Sequence, residues 1–230
     1  MINTQVIRAV VMDMDGLMLD TEGMSRTAWI RTFAEKGLPF REDQFLELVG
    51  LNVAGAQKKM RAWYGPDFPF DAIYARKVEL VDDIITQEGI TQKPGLLEFL
   101  AMADSLGLAQ AVATSTARER AFYKLERAGL GGRFAVIAGG DEIAHGKPAP
   151  DIFLLAARLL NLPPEECLAL EDSDPGVLAA QAAGMRVLII PDTKPPSPAA
   201  RHAAWTVLPD LDYAAEFVRR EMLPRLPQPT

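Results

Sequence analysis

The sequence predicts an α/β fold: a doubly wound parallel sheet with an all-helical unit inserted near its start. Short, continuous apolar runs recur along the chain, as in strands buried on both faces. Helical stretches separate most of them, the alternation of a parallel sheet with crossover helices. One long interval early in the chain breaks the rhythm, because it holds helices and no convincing buried strand.

The first apolar run reaches Asp13 (AVVMD). Others close near Thr114 (LAQAVAT), near Ala138 (RFAVIA) and near Glu171 (ECLALE), and two more lie at 186–190 (RVLII) and 205–208 (WTVL). Helical patterns span 94–106, opened by Pro94 and closed by Gly107, and 117–128, closed by Gly129. Two more cover 150–160, with Pro150 suited to a first helical turn, and 176–183, closed by Gly184. Between Asp20 and Thr91 the amphipathic stretches are 24–36, 42–49, 54–64 and 70–87, separated by Gly37, Gly50 and Gly65-Pro66. Such an interval is too long for a plain crossover. It reads as a helical cap, residues 20–91, set into a Rossmann-like core of residues 1–19 and 92–230. PDTKPPSPAA (191–200) reads as a loop, and the Pro-rich LPRLPQPT (223–230) as a frayed end.

With 230 residues, 49% hydrophobic and 24% charged, the chain is long enough and apolar enough for a substantial core. Its apolar runs are too short to cross a bilayer. MINTQVIRAVV lacks the layout of a signal peptide, and the single cysteine, Cys167, lies in an apolar run. A reducing cytoplasm and a monomer are expected. The net charge of −7 and the absence of a basic face argue against nucleic-acid and membrane partners.

Ligands of doubly wound sheets bind beyond the carboxyl ends of the strands. The residues just past each run are Asp13 and Asp15; Thr114, Ser115 and Thr116; GGDEIAHGKPAPD with Lys147; and Glu171, Asp172, Ser173 and Asp174. If their strands are neighbours, Asp13, Asp15 and Asp172 lie close together. Two like charges about 4 Å apart repel by about 4 kcal/mol at an effective dielectric of 20. Such a cluster calls for a cation or for raised pKa values. All-oxygen donors favour Mg²⁺, whereas one Cys and the distant His145 and His202 offer no zinc pattern. A strand end running into a helix at Thr114, with Lys147 adding charge, suits a phosphoryl group. Thr114–Thr116 also serve as helix-capping residues, Asp20 reads as structural, and Trp29, Phe33 and Trp63 read as cap core.

DMDGLMLDT fits the pattern D-x-D-G-x-x-x-D-T/S, and VATST, HGKPAPDIF and EDSDPGVLAAQAAGM follow it in order. With the helical insert between the first two, the chain resembles the haloacid dehalogenase superfamily, in its phosphatase and phosphomutase branch. The resemblance implies that Asp13 is a nucleophile forming an aspartyl-phosphate and Asp15 a proton donor and acceptor. It implies that Thr114 and the Ser115 N–H hold the phosphoryl group while Lys147 stabilises its charge. The metal set it implies is Asp13, Asp15 through its carbonyl, and Asp172, with Glu171 a ligand or partner and Asp174 behind it. Gly16 allows the turn after the acids.

Asp15 argues against carbon–halogen cleavage, because the founding dehalogenases lack that acid. Met24, Ser25 and Arg26 stand where phosphonate-cleaving relatives carry a Schiff-base lysine. Ser25 and Val53 stand where sugar-phosphate mutases carry a histidine and an arginine. The expected activity is therefore a Mg²⁺-dependent phosphatase of small phosphomonoesters, sugar or nucleoside monophosphates. A mutase is the alternative if Lys58 or Arg76 supplies a second phosphate clamp. Cap residues 51–64 and 73–80 are expected to line the leaving-group pocket.

Overall fold

The computed structural model describes residues 6–222; the Pro-rich 223–230 and the first five residues lie outside the described part. The strands are β1 (Ala9–Met12), β2 (Ala109–Ala113), β3 (Val136–Ala138), β4 (Cys167–Glu171), β5 (Arg186–Ile189) and β6 (Thr206–Val207). They form one sheet in the order β3-β2-β1-β4-β5-β6, every pair parallel. The chain runs outward one way from β1 and the other way from β4, so the switch point that positions ligands in such sheets falls between β1 and β4.

Among the described residues the α-helices are α1 (Glu22–Glu35), α2 (Glu42–Leu48), α3 (Val53–Tyr64), α4 (Phe70–Glu88), α5 (Leu96–Ser105), α6 (Arg118–Arg127), α7 (Asp151–Leu159), α8 (Asp174–Ala182), α9 (Pro198–Ala203) and α10 (Leu211–Met222). The two faces of the sheet differ in bulk. Ala9, Val11, Ala111, Ala113 and Ala169 face one way and pack against residues of α7 and α8, such as Phe153 and Val177. Val10, Met12, Val112, Leu168 and Leu170 face the other way, toward α5, α6 and α10. The alternation follows from the two-residue strand repeat.

Helices α1–α4 enclose a third core around Trp29, Phe33, Phe45, Met60 and Phe70. Phe33 stacks on Phe40 with ring centroids 4.7 Å apart, and Tyr64 stacks on Phe68 at 5.0 Å. The chain enters and leaves this helical unit through two adjacent passages. Leu19 bridges Gln92 in antiparallel sense, Asp20 N donates to Thr91 O at 2.9 Å and Lys93 N donates to Met18 O at 2.8 Å. Asp20 thus serves the main chain at this crossing.

Three local expectations change. Thr114–Thr116 do not cap a helix: α6 starts at Arg118 after Ala117 with no side-chain cap, and the Ser115 and Thr116 hydroxyls donate to Gly50 O and Asp15 instead. The stretch 191–200 is a loop only as far as Ser197, whose hydroxyl accepts from Ala200 N at 3.2 Å and starts α9 at Pro198. Pro198 in the first turn lacks only an N–H that has no helical partner there. Helix α8 begins at Asp174 rather than 176, because Ser173 caps it by accepting from Gly176 N at 3.3 Å. Among the described residues no helix is long and apolar enough to cross a membrane.

Candidate active site

Asp13 follows β1 directly, and its N–H still donates to Leu170 O at 3.1 Å, which fixes the backbone beside β4. Thr114 follows β2 and is tied to β3 through Ala138 O at 3.1 Å. Asp172 follows β4. All three open onto one cleft beneath α1–α4. Parallel register therefore gathers residues distant in sequence at one sheet edge.

Lys147 reaches this edge from the loop after β3. Its ammonium, almost wholly buried, donates to Asp13 Oδ1, to Glu171 Oε1 at 2.5 Å and to Ala113 O at 3.3 Å. The other oxygen of Glu171 accepts from the N–H groups of Asp172 (3.1 Å) and Ser173 (3.2 Å) and from Ser173 Oγ (3.0 Å). Glu171 is fully buried, and a Cβ at residue 176 would lie 1.9 Å from its Oε1, so Gly176 is the residue that leaves it room. Both oxygens of Glu171 are engaged by the protein, which suits a holder of Lys147 better than a metal ligand.

One ammonium shared by two buried carboxylates leaves a surplus negative charge. Burial pushes the Asp13 carboxyl up to about 7; Lys147 opposes that rise and Glu171 adds to it. Asp172 is raised well above the usual carboxylate range by burial, then by Glu171 and Asp13, while Lys147 again opposes. The same two carboxylates hold Lys147 firmly protonated against its own burial. The acids crowded here are thus Asp13, Asp172 and Glu171.

The Asp15 carboxylate does not join that cluster. It turns toward α6 and accepts from Thr21 Oγ1 (2.5 Å), Lys124 Nζ (2.6 Å) and Thr116 Oγ1 (2.7 Å). Burial alone raises its pKa, but Lys124 and the two hydroxyls outweigh burial and bring it down to about 2. In this arrangement Asp15 is ionised, and the three donors that hold it make it a weak base.

Among the described residues no three His, Cys, Asp or Glu side chains close on a single point. Two carboxylates under mutual repulsion, Asp13 and Asp172, still suit Mg²⁺, which takes few carboxylates and keeps several waters. Gly16 fits this reading. Its φ is +88°, and a Cβ there would lie 2.5 Å from Asp172 Oδ2. His145 is exposed and its ring pairs with Asp151 at 3.1 Å, away from these acids. Asp174 accepts from Ser197 N at 3.1 Å and so anchors the loop before α9.

A family model described as haloacid dehalogenase-like hydrolase matches residues 7–184. The chain belongs to this family. Its members are generally Mg²⁺-dependent. Protein CbbY of Rhodobacter capsulatus is 34% identical over 230 residues, covering 96% of this chain and 99% of that protein. The phosphorylated carbohydrates phosphatase of Thermotoga maritima is 33% identical over 180 residues, 78% of this chain and 82% of that protein. The crystal structure of CbbY from Rhodobacter sphaeroides in complex with phosphate superposes with a TM-score of 0.75 at 30% identity, covering 90% of this chain and 96% of that one. Family and relatives together make the chain a phosphoric monoester hydrolase.

The cap side of this hydrolase's cleft differs in part from the sequence reading. Leu51, Asn52, Val53, Tyr74 and Lys77 lie in the expected segments, but Glu22, Ser25 and Trp29 of α1 also line the wall. Trp29 therefore serves both the cap core and the cleft. The two candidate phosphate clamps point elsewhere. Arg76 is held by Glu35 at 2.8 Å and by Glu79 at 2.9 Å, and Lys58 is exposed on α3, outside the cleft. Thr21 and Thr116 lie in the motifs DMDGLMLDT and VATST, but nothing in the sequence assigns them a role at Asp15. Lys124 and Glu22 sit on helices where no motif marks an inward-facing polar group.

Proposed function

We propose that this hydrolase is a Mg²⁺-dependent phosphatase of small phosphorylated metabolites, sugar or nucleoside monophosphates, working through an aspartyl-phosphate on Asp13. The observation that carries the reading is the convergence of Asp13, Thr114 and Asp172 from three strand ends on one cleft, with Lys147 of the loop after β3 bonded to Asp13. Asp13 Oδ attacks phosphorus, and the bond from phosphorus to the leaving oxygen breaks. Asp15 protonates that oxygen. Asp15 then takes a proton from water as the water oxygen attacks phosphorus, which frees Asp13 and inorganic phosphate. The arrangement described here holds Asp15 ionised; both the donating and the accepting step require a weaker hold from Lys124.

Lys147 holds Asp13 in place and offsets charge on the phosphoryl oxygens, and Glu171 positions Lys147. Thr114 and the Ser115 N–H bind the phosphoryl group at the strand end. Asp13, Asp172 and the Asp15 carbonyl are the residues that would hold Mg²⁺, which supplies charge stabilisation and orientation for the phosphoryl group. Residues 20–91 act as the cap that excludes bulk water and reads the leaving group.

The phosphatase reading is favoured over a mutase because neither proposed clamp, Lys58 or Arg76, lines the cleft. The test is phosphate release from a panel of phosphometabolites with and without Mg²⁺. The reading expects metal-dependent release from sugar phosphates. Isomerised sugar phosphate without free phosphate would contradict it.

A further inference from the structure

The loop after β5 carries Asp192 to the same sheet edge as Asp172, one strand further out. The two oxygens of its carboxylate serve different neighbours. Oδ1 accepts from Lys93 Nζ at 2.5 Å, in a pair whose side chains are only 23% (Lys93) and 17% (Asp192) exposed. Lys93 stands where the chain leaves the helical cap, and its N–H donates to Met18 O at 2.8 Å. Oδ2 lies toward Gly16: a Cβ at residue 16 would sit 3.4 Å from Asp192 Oδ2 and 2.5 Å from Asp172 Oδ2. The missing side chain of Gly16 thus leaves a gap flanked by two carboxylates. The one donor to Asp192 Oδ2 among the described residues is Thr193 Oγ1, at 3.4 Å. Asp172 is the less satisfied of the two acids. It is 7% exposed, and although its N–H donates to Glu171, no donor among the described residues reaches its carboxylate. A buried carboxylate in that position is costly until a cation meets it. Asp192 does not itself close on a common point with Asp13 and Asp172. Mg²⁺, however, keeps several waters when it binds, and groups behind the direct ligands orient them.

We propose that Asp192 is a positioning residue of the metal site: one oxygen is tied to the cap hinge through Lys93, and the other orients the water shell of an ion bound at Asp13 and Asp172. The inference rests on the Mg²⁺-dependent phosphatase reading and adds to it a link between metal and cap. Lys93 offsets part of the Asp192 charge, so the hinge sets how much of that charge the ion meets.

The test measures Mn²⁺ binding to the full chain, without substrate, by electron paramagnetic resonance. Asp192→Asn should raise Kd by about tenfold, the usual cost of losing a group behind a metal ligand. Lys93→Met should shift Kd the other way, because it removes a competing cation and leaves Asp192 in place. Lys93→Arg should stay close to wild type. A pair that only braces the hinge gives a different pattern: both variants break the same bond, so both move Kd in one direction or leave it unchanged. Either of those results overturns the proposal. A Mn²⁺ signal that survives unchanged in Asp172→Asn places the ion elsewhere and overturns it as well. If Asp192→Asn fails to fold, Asp192→Ser gives the same reading. A wild type that binds no Mn²⁺ and releases phosphate from an aryl phosphate without Mg²⁺ would instead remove the metal-dependent reading, and the proposal with it.

Discussion

At one end of the cleft Asp13, Thr114 and Asp172 each stand one residue beyond a strand, and main-chain ladders place them. At the other end Trp29, Tyr74 and Lys77 come from two cap helices, and side-chain packing places them. The first end is held by main-chain bonds: a shift of Asp13 would break its bond to Leu170 O beside β4. The second depends on how a separate helical core sits over the sheet. The proposed reading thus ties chemistry to the element that tolerates least change, and selectivity to the element that tolerates most.

The largest effects are expected at the strand ends. Asp13→Asn should lower phosphate release from an aryl phosphate by at least about a thousandfold, as loss of a nucleophile does. The folded state should survive, which circular dichroism would verify. Lys147→Met should damage both activity and fold. It leaves Asp13 and Glu171 as buried charges without their cation, which costs about 3–5 kcal/mol in urea unfolding. An unchanged unfolding midpoint would contradict the shared-ammonium account.

Gly16→Ala tests the turn that joins the two ends. The φ of +88° and the 2.5 Å approach to Asp172 predict a loss of about 1–3 kcal/mol. They also predict a higher Mg²⁺ requirement in the activity assay.

The smallest effect should come from the cap, and it should have the opposite sign. The folded-state pKa of Lys77, about 8, lies below the ordinary lysine value, so folding disfavours its charged form. That penalty is fully present below pH 8 and fades as pH rises toward the unfolded value. Lys77→Met should therefore raise the melting temperature at pH 7, and the gain should shrink between pH 8 and pH 10. A variant less stable than wild type at pH 7 would show that Lys77 has a structural partner.

The same division explains what was legible in the sequence. The strand runs before Asp13, Thr114 and Glu171 announce themselves through short apolar stretches followed at once by polar residues, and β1, β2 and β4 end where those stretches do. The four cap helices were legible because glycines separate them. α10 was not anticipated, and α9 was hidden in a proline-rich stretch where Ser197 caps a short helix. Within the site, residue identity located Asp15 but not the direction of its carboxylate, because the groups that turn it, Thr21, Thr116 and Lys124, lie up to 109 residues away. Glu171 was legible as an acid at the right place. Its use by Lys147 and the Ser173 hydroxyl depends on the cavity behind it, which Gly176 keeps open.

The central claim is that Asp13 takes the phosphoryl group onto its own carboxylate. The most direct measurement is acid quenching during turnover of a radiolabelled phosphomonoester with Mg²⁺, followed by mapping of the labelled peptide. The account predicts label on the peptide that carries Asp13, lost in Asp13→Asn. Turnover with no protein-bound label at any quench time, or label on another residue, would contradict it.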